Sequence, residues 1–448
     1  MSDGWALKTI AECALDEPYA TQIGPFGKAL MAEQYTSSGV PVLRGVNVNR
    51  GRFHDDDFVF ISESTADALS KFESFPGDVL LVHKGTLGQI GLMPSKRRHQ
   101  RYIMGNSMLR VRCDPSVLLP EFLYYWLSSP QGQDYLFSRV SQVGVPQLQR
   151  PLTTLREAQL RVPPVHVQSA ITSRLEVLDD TIELNQRMNH NLERLARLIF
   201  EAWFVDFAPV RAKAEGATSF PGMSSDAFES LPTELVDAQI GPVPAGWDLV
   251  PLSALLMLHG GGTPKRDIAA YWNGSVPWFS VRDAPADSDV WVIDTAERIT
   301  DDGVRNSAAK VLPPGTTVIS ARGTVGRLAL IGTPMAINQS CYGAQGADGV
   351  GDYFVYFSLQ HAAAELRRHT HGSVFDTITR ATFDSLQRVR PPQELLQAFE
   401  DTVAPYMLAL RNNCLQSKTL GALRDILLPE LISGAMRVPE TGVADGDQ

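Results

Sequence analysis

The chain has 448 residues and a mass of 49.1 kDa, with 40 Lys and Arg against 50 Asp and Glu, for a formal net charge of −10. That length suits two to four domains, and 44% hydrophobic with 20% charged residues is ordinary globular composition, which excludes wholesale disorder. The longest apolar runs fall short of the ~18 residues that a bilayer span needs, and the first residues lack the pattern of a secretory signal, so a cytoplasmic location is expected.

Taken in chain order, residues 1–165 mix short β-branched runs with glycines, prolines and aromatic clusters such as Phe122-Leu123-Tyr124-Tyr125-Trp126, the texture of a mixed α and β domain. Within it, the β-type run Val79-Leu80-Leu81-Val82 leads into Lys84-Gly85-Thr86. Glycine lets the backbone approach a ligand closely, and a cation, a hydroxyl and backbone amides can all meet a phosphate; a tight hairpin turn is the alternative. After Pro163-Pro164, residues 166–208 predict a long helix with a heptad seam at Ile171, Leu175, Leu178, Ile182, Asn185, Asn189, Leu192, Ala196, Ile199 and Trp203. Residues 209–245, rich in Ser, Pro, Gly and Ala, read as a linker.

Residues 246–393 repeat the first texture. Ser275-Val276-Pro277-Trp278 stands where Gly39-Val40-Pro41-Val42 stood, and Arg322-Gly323-Thr324 repeats the basic-Gly-Thr loop. Residues 394–436 predict a second helix after Pro391-Pro392, with its seam at Phe399, Val403, Tyr406, Leu410, Asn413, Ser417, Leu420, Arg424, Leu427 and Leu431. Both seams break at matching polar positions, Asn185 with Asn413 and Asn189 with Ser417, so the helices are expected to pack as a pair whose polar layer fixes register. Each is about 50 Å long and can act as a spacer. The tail, 437–448, reads as disordered.

Catalytic signatures are missing. The chain has no Gly-x-x-x-x-Gly-Lys-Ser/Thr phosphate loop, no Gly-x-Ser-x-Gly elbow and no His-Glu-x-x-His. Its Pro-Pro pairs lack the Asn/Asp-Pro-Pro-aromatic context of an amino-methyltransferase, and no Glu-x-Lys of a metal-dependent nuclease occurs. The cysteines Cys13, Cys113, Cys341 and Cys414 lack Cys-x-x-Cys spacing, so neither a zinc site nor a disulfide framework is expected.

Phe200-Glu201-Ala202-Trp203-Phe204-Val205-Asp206-Phe207-Ala208-Pro209-Val210-Arg211-Ala212-Lys213 resembles the end of the first conserved helix in the DNA-specificity subunits of type I restriction-modification systems. Leu427-Leu428-Pro429-Glu430-Leu431-Ile432-Ser433-Gly434 resembles the end of their second, and Gly246-Trp247-Asp248-Leu249-Val250-Pro251-Leu252 the opening of their second recognition domain. The resemblance implies an α+β fold: two mixed α/β target-recognition domains in pseudo-twofold arrangement, separated by two long antiparallel coiled-coil-like helices. It implies a non-catalytic reader of a bipartite, asymmetric DNA site that directs adenine methylation and restriction by its partners. Two modification subunits binding S-adenosylmethionine, and nuclease-translocase subunits using ATP and Mg, would complete the complex. A self-contained methylase or nuclease with fused reader domains is the alternative, and the missing catalytic motifs count against it.

For DNA contact, the stretch Ser95 to Arg112 holds Lys96, Arg97, Arg98, Arg101, Arg110 and Arg112 with no acidic residue, although a solvated charged turn would look the same. Arginine can bridge guanine O6 and N7, and Gln147 and Gln149 carry amides suited to adenine. Arg44 and Arg282 occupy matching segments of the two domains and complete the candidates with Lys84, Thr86, Arg322 and Thr324. Leu184, Leu195, Leu198 and Phe204 flank the seam; they serve either partner helices or burial under the recognition domains. Much of the acidic excess lies in 209–245, 283–302 and 437–448, so the negative total is a poor guide to partner.

Overall fold

A computed structural model of the protein describes residues 4–48, 53–141, 144–285, 289–369 and 377–438. The chain forms two compact units. Unit 1 comprises residues 1–180 with 420–448, and unit 2 comprises 181–419.

In unit 1 an antiparallel four-stranded sheet has the order Thr21–Ile23, Met108–Val111, Val79–Val82, Ile90–Leu92. Its central strand Val79–Val82 is buried throughout, and alternate residues point to opposite faces. Val79 and Leu81 meet Leu109, Val111 and the helix Pro120–Ser128; Leu80 and Val82 meet Val42, Leu43 and Met104 of a three-stranded sheet built from Val59–Ile61, Val40–Leu43 and Ile103–Met104. Helix Pro120–Ser128 starts on proline, whose missing N–H costs nothing in a first turn, and buries Phe122 through Leu127. Strand Ala6–Thr9 pairs antiparallel with Gln159–Val162, so the domain is closed at its own two ends just before Pro163. Gln168, fully buried, then ties the following helix to the turn ahead of Pro120: it accepts from the Leu119 N–H at 2.8 Å and donates to the Val117 carbonyl at 2.8 Å.

Unit 2 repeats this topology with additions. Its larger sheet runs Leu256–Gly260, Cys341–Gly346, Thr317–Ser320, Leu328–Ile331, Trp291–Val292, and a second runs Arg298–Ile299, Trp272–Phe279, Met335–Ile337, Val311–Leu312. Strand Asp248–Pro251 pairs with Gln387–Arg390, closing this domain as Ala6–Thr9 closes the first. Each unit thus mixes helices and sheets, the α+β class expected.

The long helices span Val165–Phe204 and Gln393–Ser433. In unit 1, Ile171 and Leu175 share a core with Leu428, Leu431 and Ile432, and Arg424 donates to Asp179 at 2.8 Å, whose other oxygen takes the Tyr125 hydroxyl at 2.8 Å. In unit 2, Ala196, Phe200 and Trp203 pack with Phe399, Val403, Met407 and Leu410. Here Asn185 Nδ2 donates to Gln416 Oε1 at 2.9 Å and Ser417 Oγ at 3.2 Å, while Asn413 Nδ2 donates to Asn189 Oδ1 at 3.0 Å. Numbers rise along one helix as they fall along the other, so the pair is antiparallel. Of the seam positions, Ile171, Leu175, Asn185, Asn189, Ala196, Trp203, Phe399, Val403, Leu410 and Leu431 are buried, while Leu178, Ile182, Leu192, Ile199, Tyr406, Asn413, Leu420 and Leu427 are half-buried. Next to half-buried Tyr406 and Leu427, the adjacent Met407 and Leu428 are buried as well, because these helices also cover their own domains; Trp291 Nε1 donates to the Met407 carbonyl at 3.0 Å.

The stretch 209–245 is not the linker that its composition suggested. It forms helices Ala208–Ala214 and Ser225–Glu229 and a hairpin of Leu235–Ala238 with Gly241–Pro244. Val210, Phe228, Leu231 and Val243 join the core of unit 2, and Lys213 Nζ caps the shorter helix by donating to the carbonyls of Phe228, Glu229 and Leu231. A few well-spaced apolar side chains suffice to fold a segment that is otherwise Ser-, Pro- and Gly-rich. The tail expected to be disordered lies, from residue 439, outside the described residues.

Candidate nucleic-acid interface

In unit 1 the strand Val79–Val82 turns back at Lys84–Gly88, with Val82 N–H closing onto the Gln89 carbonyl at 3.0 Å. Gly88 has φ +78, and a Cβ there would lie 2.5 Å from Gln133 Oε1 and 2.9 Å from the Phe137 ring, so only glycine fits. This hairpin is joined to a second loop far away in sequence. Leu148 N–H donates to the His83 carbonyl at 2.9 Å, Gly85 N–H to the Pro146 carbonyl at 3.0 Å, and Lys84 bridges Gln147. Lys84, Thr86, Gln147 and Gln149 are therefore neighbours, and all four are exposed. Thr86 Oγ1 lies against Gly45, 3.0 Å from where a Cβ would stand, which brings the segment after Arg44 to the same surface. Beneath the loop His83 is buried, and burial holds it below its ordinary value.

Unit 2 builds the same junction. Ile378 N–H donates to the Ala321 carbonyl at 2.9 Å and Arg322 bridges Thr377. Ser320 Oγ donates to the Thr324 carbonyl and accepts from Arg327 N–H at 2.8 Å, which shapes the turn. Arg322 and Thr324 are exposed, and so is Arg282 on the short helix Val281–Asp283.

The basic stretch Ser95 to Arg112 is not one surface. Arg110 is 2% exposed, donates to the carbonyls of Glu73 and Tyr19 and lies 3.7 Å from Asp78; Arg112 makes two bonds to Asp78, at 2.8 and 3.0 Å, and pairs with Glu17. Arg101 is shared among Glu63, Asp67 and Glu73, and the bond to Glu73 first, then that to Asp67, push its value above the ordinary one. The strand Met108–Val111 is buried on both faces, Arg110 with it, and the acidic partners come from distant segments. Lys96 and Arg98 remain exposed, with Asp55 accepting the Arg98 N–H at 2.7 Å, while half-buried Arg97 lies over the Tyr102 ring. Arg44 is half-buried and turned to the loop at Asp57, donating to its carbonyl at 2.6 Å.

One cation missed in the sequence is Arg139. Exposed, stacked 3.8 Å over the Tyr135 ring, it accepts through its carbonyl the Gln149 N–H at 2.9 Å. Its only advance signal was its place shortly before Gly144.

Along the first long helix Leu184, Met188, Leu195 and Leu198 are 55, 42, 43 and 48% exposed, a single apolar stripe at spacings of four, seven and three. Phe204 does not belong to it. Its ring packs 4.9 Å from Phe354 and 5.1 Å from Phe399, inside the unit 2 core, because the helix ends against that domain. Among the described residues no group of three or more His, Cys, Asp or Glu side chains is placed to hold a metal ion, and no helix is long and apolar enough to cross a membrane.

Residues 22–194 and 244–394 match the family model described as type I restriction modification DNA specificity domain. The specificity subunit of the type I restriction enzyme HindI from Haemophilus influenzae is 24% identical over 418 residues, covering 82% of this chain and 90% of its own. The MjaIX specificity subunit from Methanocaldococcus jannaschii is 23% identical over 396 residues, covering 86% and 85%. The crystal structure of the type I restriction-modification S subunit from M. genitalium shares the fold, with a TM-score of 0.57 and 15% identity over 96% of this chain and 97% of that one. With the family model covering both halves, the chain belongs to the family of type I restriction-modification DNA specificity subunits.

Proposed function

We propose that this specificity subunit reads a bipartite, asymmetric DNA sequence, one half-site per unit, with the antiparallel helices setting the gap. The observation that carries this is the recurrence, in both units, of a basic-Gly-Thr hairpin anchored by the same backbone bond to a second loop. In unit 1 Lys84 and Thr86 are suited to phosphate, and Gln147 and Gln149 to an adenine edge; in unit 2 Arg322, Thr324 and Arg282 take the corresponding part. Lys96 and Arg98 add charge at the rim. The chain itself supplies recognition and no chemistry. Two modification subunits, bringing S-adenosylmethionine, dock on the apolar stripe at Leu184, Leu195 and Leu198 and methylate adenine; nuclease-translocase subunits bring ATP and Mg. The assembly works in the cytoplasm on double-stranded DNA.

The test is to express the chain with its modification subunit and map methylated adenines across a genome. Two short specified halves with a fixed unspecified gap are expected. A single continuous site would refute the two-unit reading, and methylation or cleavage of DNA by the purified chain alone would refute the non-catalytic one.

A further inference from the structure

Arg150 follows Gln149 at the end of the second loop of unit 1, and its backbone is left-handed, with φ 41 and ψ 60. L-residues other than glycine, asparagine and aspartate rarely adopt that conformation, and the following Pro151 restricts the position further. Among the described residues no other basic residue has positive φ. Phe207 has the same geometry at the start of another helix, and there the ring is buried against Trp247 at 5.9 Å, so packing compensates the backbone. Arg150 gains nothing of the kind. Its side chain is exposed, it makes no capping bond to the helix Pro151–Glu157, and its guanidinium has no hydrogen bond or ion pair among the described residues. The backbone around it is nevertheless fixed: Gln149 N–H donates to Arg139, Thr154 N–H to the Arg150 carbonyl at 2.9 Å, and Thr154 Oγ1 to the Gln149 carbonyl at 2.6 Å.

Disfavoured backbone at a residue with no internal role points to a role outside the chain. We propose that Arg150 is a specificity-determining residue that reads a guanine in the half-site of unit 1 through a bidentate contact to O6 and N7. A phosphate needs only a nearby cation, which a flexible side chain on ordinary backbone provides. A guanine edge needs a planar fork held in a fixed direction, and the locked left-handed turn beside Gln147 and Gln149 supplies that direction. This rests on the reading of unit 1 as a half-site reader.

The test uses the full chain with its modification subunit, as wild type, Arg150→Gly and Arg150→Lys. Glycine suits the backbone, so Arg150→Gly unfolds at the wild-type temperature or above it, and a loss of binding is not a loss of fold. It binds the mapped site about ten- to a hundred-fold more weakly and loses discrimination at one guanine of one half-site. Replacing that guanine by 7-deazaguanine, which lacks N7, weakens the wild type and leaves Arg150→Gly indifferent. Arg150→Lys keeps the charge and also loses discrimination. The inference is overturned if Arg150→Gly keeps every base preference. It is equally overturned if Arg150→Lys restores binding and the glycine variant's deficit is uniform over sequences and fades with added salt, as for a phosphate contact. If the wild-type complex methylates no bipartite site, the half-site reading falls and this inference with it. A bipartite site that Arg150→Gly leaves unchanged removes the inference alone.

Discussion

Replacing Asp78 by Asn tests whether the arginines of the strand Met108–Val111 and its continuation hold unit 1 together. Asp78 is fully buried and faces Arg110, 2% exposed, and Arg112, 20% exposed. The amide keeps the volume and can still accept the Phe75 N–H, now made to Asp78 Oδ2 at 2.8 Å, but it removes the one buried counter-charge. Arg112 retains Glu17 at the surface; Arg110 retains only carbonyls. Leaving a buried charge uncompensated costs about 3 to 5 kcal/mol. For a unit of this size each kcal/mol moves the midpoint by roughly 2 to 4 °C, so a fall of about 10 °C is expected. Thermal unfolding gives the midpoint, and hydrogen exchange at Leu109 to Val111 shows whether the loss is local to this sheet. At low temperature, where the variant is folded, both methylated half-sites stay as in the wild type. An unchanged midpoint together with weakened DNA binding would refute the structural assignment and return these arginines to the DNA surface.

Lys84→Ala is expected to weaken binding about equally for all DNA sequences and to reduce the slope of log affinity against log salt by about one, measured by titration at several salt concentrations. Leu195→Asp, on an exposed stripe, should leave the unfolding free energy within about 0.5 kcal/mol of the wild type yet lower affinity for the modification subunit more than tenfold, read by co-purification and calorimetry. Glu400 accepts the Phe354 N–H at 2.8 Å at the start of helix Asp352–His369, and burial, only partly offset by that bond, raises its carboxyl to about 7. Below the ordinary carboxylate value both folded and unfolded chains hold the proton and nothing is lost. Between there and about 7 the unfolded chain releases it first, so unit 2 loses stability as pH rises through this window and changes no further above it. Unfolding midpoints at pH 5, 6, 7 and 8 should show this slope in the wild type and a flatter one in Glu400→Gln; equal slopes would remove the assignment.

The repeat was legible because it was written twice: Asn185 and Asn413 stand out only when two seams break at the same place, and side-chain amides at those positions do bond across the helix pair. The hairpins at Lys84 and Arg322 were legible for the same reason. Their attachment to Gln147 and Thr377 was not, since β-bridges between distant segments leave no periodic trace. The basic run ending at Arg112 misled because charge along a sequence says nothing of which strand is buried on both faces, nor that Glu17, Glu73 and Asp78 converge on it. Composition failed for 209–245 in the opposite sense: Val210, Phe228 and Val243 are too sparse to register as a core until they meet one.

The paired strands at the ends of each domain have a consequence for inheritance. Ala6 lies opposite Val162 and Asp248 opposite Arg390, so the chain enters and leaves each domain at one place, with roughly 150 residues between. A gene segment encoding one such loop of chain can keep its two ends in place when exchanged, provided that it also supplies the groups that meet the following helix, as Leu119 and Tyr125 meet Gln168 and Asp179. On the two-unit reading proposed above, such an exchange would change one half of the recognised sequence and leave the other half as it was.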